Sequence, residues 1–199
     1  MRMEVDGLLF EVTPAVYEPS DDSFLLAKYS EKLKGTILDV GCGCGIHAIV
    51  NAKKNPENSV LGIDINRAAI ACAAYNASLN RIKNISFIPS NLFEKVGERH
   101  FNGIIFNPPY LPTEKHERIG SGLNDAFDGG KDGRLILDRF LLNFDRYLSE
   151  GGTLLLMQSS LNDMEKTVSA LEEKAFSVTI RDRMEFFFEK LYVLEARRL

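Results

Sequence analysis

Two short segments of the chain carry groups that are suited to chemistry. The first is Asn107-Pro108-Pro109-Tyr110, which follows the apolar run Ile104-Ile105-Phe106 at the predicted end of a buried strand. Proline fixes its own φ and has no amide hydrogen for a sheet, so the strand must end here in a rigid loop. The loop presents a side-chain amide, backbone carbonyl groups and a phenol ring, which together could position a planar polar group.

Asn107-Pro108-Pro109-Tyr110 resembles the motif of methyltransferases that act on a nitrogen conjugated to a planar system. Such a nitrogen is a poor nucleophile because its lone pair is delocalised. Two acceptors that face the N–H bonds orient this nitrogen and favour a more pyramidal geometry in the transition state. We predict that the side-chain oxygen of Asn107 and the carbonyl of Pro108 are these acceptors. Pro109 stiffens the loop and Tyr110 offers a flat wall. Asn107, Pro108 and Tyr110 are thus the predicted catalytic residues, and all four residues are predicted to bind substrate.

The second segment is the loop Gly41-Cys42-Gly43-Cys44-Gly45, between a predicted strand at residues 36–40 and a predicted helix at residues 46–54. Glycine lets the backbone turn sharply and approach a ligand, and the helix N-terminus beyond it favours polar groups. The carboxylate of Asp39 would repel a pyrophosphate but would suit a ligand with an amino group. Ile46 also stands where the dinucleotide pattern G-x-G-x-x-G needs its last glycine.

Asp39-x-Gly41-x-Gly43-x-Gly45 resembles motif I of the Rossmann-like methyltransferases that use S-adenosylmethionine (SAM) and release S-adenosylhomocysteine. The resemblance implies that Asp39 lies near the methionine amino group and that the backbone of Gly41 and Gly43 passes under the cofactor. Asp64 ends the next predicted strand, where a carboxylate can accept both ribose hydroxyls or can cap the following helix.

The same resemblance implies further cofactor contacts. Asn91 stands where the family usually has an aspartate beside the adenine amino group, and its carbonyl oxygen can still accept that hydrogen bond. Leu92 would contact the adenine ring. The remaining implied cofactor-binding residues are Asp22, Ser23, Ile65 and Asn107.

Strands and helices alternate around these segments. We predict strands at residues 36–40, 59–63, 84–88, 103–106, 153–157, 176–180 and 186–196. We predict helices at residues 20–33, 46–54, 66–80, 134–148 and 162–174. This alternation predicts an α/β fold with a mostly parallel sheet and helices on both faces, in one domain over residues 1–199. The resemblance implies that this fold is the Rossmann-like class I methyltransferase fold with a seven-stranded sheet. The last two strands lack a crossover and are predicted to form an antiparallel C-terminal edge hairpin, with Phe186-Phe187-Phe188 in its core.

The amino-acid composition disfavours several classes of protein. The 199 residues are 45% hydrophobic with a formal net charge of −4, which is typical of a folded globule and unlike most nucleic-acid binders. We therefore expect no direct nucleic-acid binding. Neither a membrane-spanning apolar run nor a signal peptide is visible, so we expect no membrane contact and a cytoplasmic location. Cys42, Cys44, His47 and Cys72 could hold zinc, but small residues filling a tight loop explain the cysteines better, and we predict no metal.

Two further segments, one before the glycine loop and one after Asn107-Pro108-Pro109-Tyr110, indicate the class of substrate. Tyr17-Glu18-Pro19-Ser20-Asp21-Asp22-Ser23-Phe24-Leu25-Leu26 and Ala126-Phe127-Asp128-Gly129-Gly130-Lys131-Asp132-Gly133-Arg134 resemble HemK-type release-factor glutamine methyltransferases, with Phe127 replacing the usual tryptophan. The chain has no room for the N-terminal helical domain of the bacterial members, so it resembles the short archaeal and eukaryotic branch. This implies methylation of the glutamine in the Gly-Gly-Gln loop of a class I peptide release factor. It also implies a small zinc-binding activator subunit, with residues 84–88 as a docking edge.

The sequence also allows several other functions. The same chemistry would serve an RNA or DNA amino-methyltransferase, and relatives in this branch have been linked to lysine methylation. A SAM-binding scaffold without activity and a nicotinamide oxidoreductase are less favoured alternatives. Residues 111–131 form a predicted binding loop or lid, in which Gly120-Ser121-Gly122 and Asp128-Gly129-Gly130 would line the substrate groove and His116 would be solvated.

Overall fold

The computed structural model describes residues 1–110 and 130–198. The described strands are β1 (Arg2–Val5), β2 (Leu8–Glu11), β3 (Thr36–Val40), β4 (Ser59–Asp64), β5 (Ile85–Pro89), β6 (Phe101–Phe106), β7 (Leu148–Ser159), β8 (Phe176–Glu185) and β9 (Lys190–Arg198). The described helices are α1 (Asp21–Ser30), α2 (Ile46–Lys54), α3 (Arg67–Leu79), α4 (Leu135–Leu141) and α5 (Met164–Glu172). None of these helices combines the length and the apolar composition that a membrane crossing requires.

The seven-stranded sheet has the order β5-β4-β3-β6-β7-β9-β8. Strands β3 to β7 are parallel, and β9 pairs antiparallel with both β7 and β8. The predicted α/β class, the mostly parallel sheet and the antiparallel C-terminal edge are therefore confirmed. Because β3, β4, β5 and β6 run in one direction, the loops that follow them lie at the same edge of the sheet.

Helices cover both faces of the sheet. Leu38 of β3 and Ile104 of β6 belong to an apolar cluster that includes Phe140 of α4 and residues of α5. Their neighbours Ile37 and Ile105 belong to a second cluster on the opposite face, with residues of α1 and α2. Successive side chains of a strand point to opposite faces, so a strand that is apolar throughout must be covered on both sides.

An N-terminal hairpin, β1 and β2, was not predicted from the sequence. It pairs with itself and packs on α3, where side-chain amides hold its backbone. The Oδ1 atoms of Asn76 and Asn80 accept hydrogen bonds from the backbone N–H groups of Glu11 and Leu9, both at 2.9 Å. The Nδ2 atom of Asn76 also donates to the carbonyl of Cys44 at 3.0 Å, which connects the hairpin to the glycine loop.

The predicted helix at residues 134–148 is wrong in its second half. Helix α4 ends at Leu141, a short 3₁₀ turn follows at Phe144–Arg146, and Leu148 already begins β7. Leu148 pairs with Phe101 of β6 and is buried. The apolar spacing suits a helix, but pairing with a strand far away in sequence overrides that local preference.

The predicted last strand also begins too early. Strand β8 extends to Glu185, and a turn over residues 186–189 is closed by a hydrogen bond from the Phe186 N–H to the Glu189 carbonyl at 2.7 Å. Phe187 and Phe188 are 91% and 85% exposed, so the phenylalanine run does not belong to the core of an edge strand.

The predicted binding loop lies almost entirely outside the described residues. His116, Gly120-Ser121-Gly122 and the segment from Ala126 to Gly129 belong to this undescribed part of the chain. Their predicted roles therefore stay predictions.

Candidate active site

A cavity of about 480 Å³ lies at the carboxyl ends of β3, β4, β5 and β6. Loops and the start of α1 bring the predicted site residues to its wall, namely Asp22, Ser23, Gly41, Gly43, Asp64, Ile65, Asn91, Leu92, Asn107, Pro108, Pro109 and Tyr110. Its volume is in the range of small-molecule sites. Asp39 is the predicted site residue that is absent from this described lining.

The glycine loop and the loop after β4 are joined by Asp64. Gly41 and Gly43 have φ angles of 64° and 55°, which L-residues with side chains rarely adopt. The N–H of Gly43 donates to Asp64 Oδ2 at 2.9 Å, and the N–H of Asn66 donates to Asp64 Oδ1 at 2.8 Å. Helix α3 is capped by Asn66, whose side chain accepts from the Ala68 N–H, so Asp64 does not provide the predicted cap.

Asp39 lies one layer behind the cavity wall. It is fully buried, and its Oδ2 accepts from the Ala48 N–H at 3.1 Å. Its Oδ1 has no hydrogen-bond partner among the described residues, and the nearest ion-pair candidate is His47 Nδ1 at 3.7 Å. His47 itself lines the cavity. A buried carboxylate oxygen without a donor is costly, so a water or a cation on the cavity side would stabilise it.

Apolar and polar side chains from two further strand ends and from α4 also line the cavity. Ile65, which is 54% exposed, and Leu92 offer surface to a flat ring. Asn91 donates from Nδ2 to Glu94 at 2.7 Å, and its Oδ1 lies 3.4 Å from a guanidinium nitrogen of Arg139. Arg139 belongs to α4 and lines the cavity, a position that the sequence did not reveal because α4 is not consecutive with the cofactor motifs.

Asp22 connects the start of α1 to the rigid loop after β6. It is 3% exposed, and its Oδ1 accepts from the Tyr17 hydroxyl at 2.9 Å and the Ser23 N–H at 2.6 Å. Its Oδ2 accepts from Asn107 Nδ2 at 2.8 Å and from the Tyr110 hydroxyl at 3.3 Å. The sequence predicts only a cofactor contact for Asp22, and these four donors add a structural role beside residues 107–110, which we call the acceptor loop.

This contact orients the amide of Asn107. A carboxylate only accepts hydrogen bonds, so the nitrogen of the amide must face Asp22 and the oxygen must face away from it. Asn107 Oδ1 is buried and has no hydrogen-bond partner in the described part of the chain. Buried polar atoms of folded proteins are nearly always paired, so an unpaired one in a residue that lines a cavity suits a partner from outside the chain, such as a water or a ligand.

The two phenols beside Asp22 stay protonated. Burial first, and then the negative charge of Asp22, raises the pKa of Tyr17 and of Tyr110 well above the ordinary range of tyrosine. Both hydroxyls are therefore neutral donors at physiological pH, and they keep the Asp22 carboxylate in place.

A second contact fixes the backbone of Tyr110. Asn162 donates from Nδ2 to the Tyr110 carbonyl at 2.8 Å. Gly133 packs at this contact with a φ of 70°, and a Cβ there would collide with both the Asn162 amide and the Tyr110 carbonyl. This contact explains why a glycine suits position 133 of the segment that resembles HemK-type enzymes.

The three cysteines are free and buried. Burial raises the pKa of the Cys44 thiol to about 12, so it is protonated at physiological pH. Across residues 1–110 and 130–198, no group of three or more His, Cys, Asp and Glu side chains converges as a metal site would require.

Comparisons with known proteins agree with this geometry. A family model described as "Methyltransferase small domain" matches residues 20–187. The chain belongs to this methyltransferase family. The methyltransferase is 46% identical, over the full length of both chains, to "Putative protein N5-glutamine methyltransferase" of Methanocaldococcus jannaschii. It is 32% identical to "Release factor glutamine methyltransferase" of Geobacter sulfurreducens, over 77% of this chain and 56% of that one.

A solved structure of similar fold is Mtq2 of E. cuniculi, in a complex with Trm112 that is described as responsible for methylating the eRF1 termination factor. The TM-score is 0.72 at 22% identity, with 93% of this chain and 99% of that chain covered. The predicted resemblance to the short branch of HemK-type methyltransferases is confirmed, since the archaeal relative matches from end to end. This chain is an enzyme that uses SAM as its methyl donor.

Proposed function

We propose that this methyltransferase adds a methyl group to the side-chain amide nitrogen of the glutamine in the Gly-Gly-Gln loop of a class I peptide release factor. The observation that carries the proposal is the buried Oδ1 of Asn107, a residue of the cavity wall, which has no hydrogen-bond partner in the part of the chain that the structure describes. An acceptor fixed there suits an N–H donor on a planar substrate. The names of the relatives from M. jannaschii and G. sulfurreducens support glutamine as the residue that carries this amide.

The residues of the cavity fit SAM. The carboxylate oxygen of Asp39 that lacks a donor among the described residues supplies negative charge behind the wall, which suits an ammonium group reached directly or through water. Asp64 lies where a ribose could bind, and Ile65 and Leu92 suit the adenine ring. When bound, SAM supplies an activated methyl group on a sulfonium, which is a good leaving group. These assignments to Asp39, Asp64, Ile65 and Leu92 are part of the proposal.

The residues of the chain must also align the acceptor nitrogen with the methyl group. Asn107 Oδ1 and the Pro108 carbonyl accept the two N–H bonds of the amide, while Asp22 prevents the Asn107 side chain from rotating. Tyr110 stays neutral and forms a wall beside the planar group. The nitrogen loses one proton as it gains the methyl group, and a weak acceptor suffices because a protonated amide is strongly acidic. Alignment and exclusion of water thus provide most of the rate.

The decisive experiment maps the added methyl group by mass spectrometry. The enzyme is incubated with SAM and an archaeal class I release factor, with total RNA as a parallel substrate. We expect one methyl group on the Gly-Gly-Gln glutamine and none on a release factor in which that glutamine is replaced by alanine. Transfer to RNA alone, or to a lysine of the release factor, would overturn the proposed substrate.

We also propose a partner and a location. The relative from E. cuniculi forms a complex with Trm112, and β5 ends the strand order of the sheet here. A small zinc-binding activator that adds a strand beside β5 would use this edge. Protection of β5 amides from hydrogen exchange on adding such a subunit would test this, and unchanged exchange would contradict it. A release factor as substrate places the enzyme in the cytoplasm.

A further inference from the structure

The turn between β8 and β9 exposes two aromatic rings to water. Phe187 and Phe188 are 91% and 85% exposed, and their rings contact each other edge to face with centroids 4.5 Å apart. We call this pair the phenylalanine tip. Exposed apolar rings that meet in a cluster mark an interaction surface more often than isolated ones do.

The phenylalanine tip is joined to the acceptor loop by hydrogen bonds. Glu189, directly after the tip, accepts from the Ser159 hydroxyl at 2.6 Å. The Ser159 carbonyl accepts from the Asn162 N–H at 3.2 Å, and Asn162 donates to the Tyr110 carbonyl at 2.8 Å. Glu189 is near enough to Tyr110 for its charge to contribute to the raised pKa of that phenol. The tip therefore lies outside the described lining of the cavity but next to Tyr110, and we call this surface the rim.

A further exposed apolar side chain belongs to the same group of hydrogen bonds as the tip. Leu161 is 48% exposed and donates from its N–H to the Ser159 hydroxyl, the same oxygen that bonds Glu189. Phe186, at the start of the turn, is 43% exposed. The rim beside Tyr110 thus offers apolar surface on two neighbouring segments of chain.

The charges of this hairpin disfavour a nucleic acid. Arg183 and Lys190 both lie 3.4 Å from Glu185, so the carboxylate partly neutralises them. Glu189 adds a further negative charge beside the tip. Phosphate backbones are bound by clustered, uncompensated cations, whereas a protein surface needs apolar contacts such as aromatic rings.

We propose that the phenylalanine tip is a docking surface for the folded protein that carries the acceptor glutamine. This inference rests on the proposed function. A glutamine that reaches Asn107 brings the body of its protein over the rim, so that protein must cover the tip. Burial of the two rings then contributes affinity that a short acceptor peptide does not gain.

The test compares one double variant with the wild-type enzyme on two substrates. Phe187→Ser/Phe188→Ser is assayed with the intact release factor and with a short peptide that contains its Gly-Gly-Gln loop. We expect KM for the intact protein to rise about tenfold or more, since full burial of even one of the two rings contributes roughly that factor. We expect kcat/KM for the peptide and the Kd of SAM, measured by calorimetry, to stay within about twofold.

Two controls make the result specific. Leu142→Ser removes an apolar side chain that is 67% exposed and does not line the cavity, and KM for both substrates should stay unchanged. Phe187→Leu/Phe188→Leu keeps apolar surface and should restore most of the affinity for the intact protein.

The outcomes separate this inference from the proposed function. If the wild-type enzyme methylates the release factor and the serine variant has the same KM, the docking surface is wrong while the proposed function stands. An equal loss with protein and peptide would also overturn it, because the tip would then act on the cavity. A loss of self-association without a change in KM would assign the tip to a second copy of the chain. A wild-type enzyme that methylates only RNA overturns both proposals.

Discussion

Asp22 and Asn107 are 85 positions apart in the chain, and they meet through a hydrogen bond of 2.8 Å from the amide nitrogen to the carboxylate. The bond decides which atom of the Asn107 side chain is left without a partner among the described residues, and this atom is the acceptor oxygen. The carboxylate is itself held by the Tyr17 hydroxyl. Asp22 therefore binds two residues of the loop after β6, Asn107 and Tyr110, and we propose that it positions them for the acceptor.

Replacing Asp22 by alanine should lower kcat by about 10- to 100-fold, because a hydrogen bond to a charged group contributes roughly 1.5–3 kcal/mol. The Kd of SAM, measured by calorimetry, should change less than kcat. Asp22→Asn keeps an oxygen that can accept from Asn107 and should have an intermediate rate. A fall in SAM affinity that accounts for the whole loss would favour the cofactor role alone.

Replacing Asn107 by alanine should lower the transfer rate about 100-fold or more, since removal of one preorganised polar group at a reacting centre has effects of that size. Binding of SAM should be mostly kept. The readout is single-turnover transfer of labelled methyl groups beside calorimetry. An unchanged transfer rate would show that Asn107 does not act on the acceptor.

Asp64→Asn should weaken SAM binding by about tenfold, because one charge-assisted acceptor is lost at the proposed ribose position. The substitution also weakens the contact to the Gly43 N–H. Calorimetry measures the Kd, and the melting temperature without SAM separates loop disorder from lost ligand contact. A lower melting temperature with unchanged Kd would assign Asp64 a purely structural role.

Gly133→Ala should reduce the free energy of unfolding by ~2–4 kcal/mol, through a positive φ and a collision with Asn162 and Tyr110. Gly151→Ala is the matched control, since Gly151 has a φ of 69° and a Cβ added there would meet no atom within 4 Å. The control should lose about 1 kcal/mol of the free energy of unfolding, because only the positive φ disfavours alanine there. Urea unfolding measures both, and equal losses would show that the packing at Gly133 is unimportant.

The raised pKa values of Tyr17 and Tyr110 predict a loss of stability at alkaline pH. Below about pH 10 both phenols are protonated in the folded and unfolded chain, so their contribution is complete. Above this pH the unfolded chain ionises first, and the free energy of unfolding falls as the pH rises. Urea unfolding at several pH values tests this. The double variant Tyr17→Phe/Tyr110→Phe should have a shallower pH dependence, and an equal slope would contradict the assignment.

Much of the fold follows from local patterns. The predicted bounds of helix α2 match the structure, and those of α3 match to within one residue at each end. These segments have strong periodicity and clear end signals. Leu148 fits the spacing of the predicted helix, yet it pairs with Phe101. The N-terminal hairpin was missed because two strands of four residues depend on Asn76 of α3, and on Asn80 just after it, for backbone partners.

Part of the site could likewise be predicted from the sequence, and part could not. The rigid loop from Asn107 to Tyr110 and the glycine loop are visible as residue types and spacings. His47 and Arg139 at the cavity wall, and the role of Gly133, are not, because each depends on a neighbour from a distant segment. The residue pattern also does not indicate that Phe187 and Phe188 are exposed, since an apolar run usually belongs to the core.

The sequence by itself determined the family, the α/β class and the residues that end the parallel strands, because these depend on motifs and on periodicity within one segment. The tertiary structure decided which of these residues touch. Asp22 orients Asn107, Asp39 lies behind His47, and the phenylalanine tip stands beside Tyr110. Such contacts join segments far apart in the chain, and only the pairing and packing of the sheet bring them within hydrogen-bonding distance.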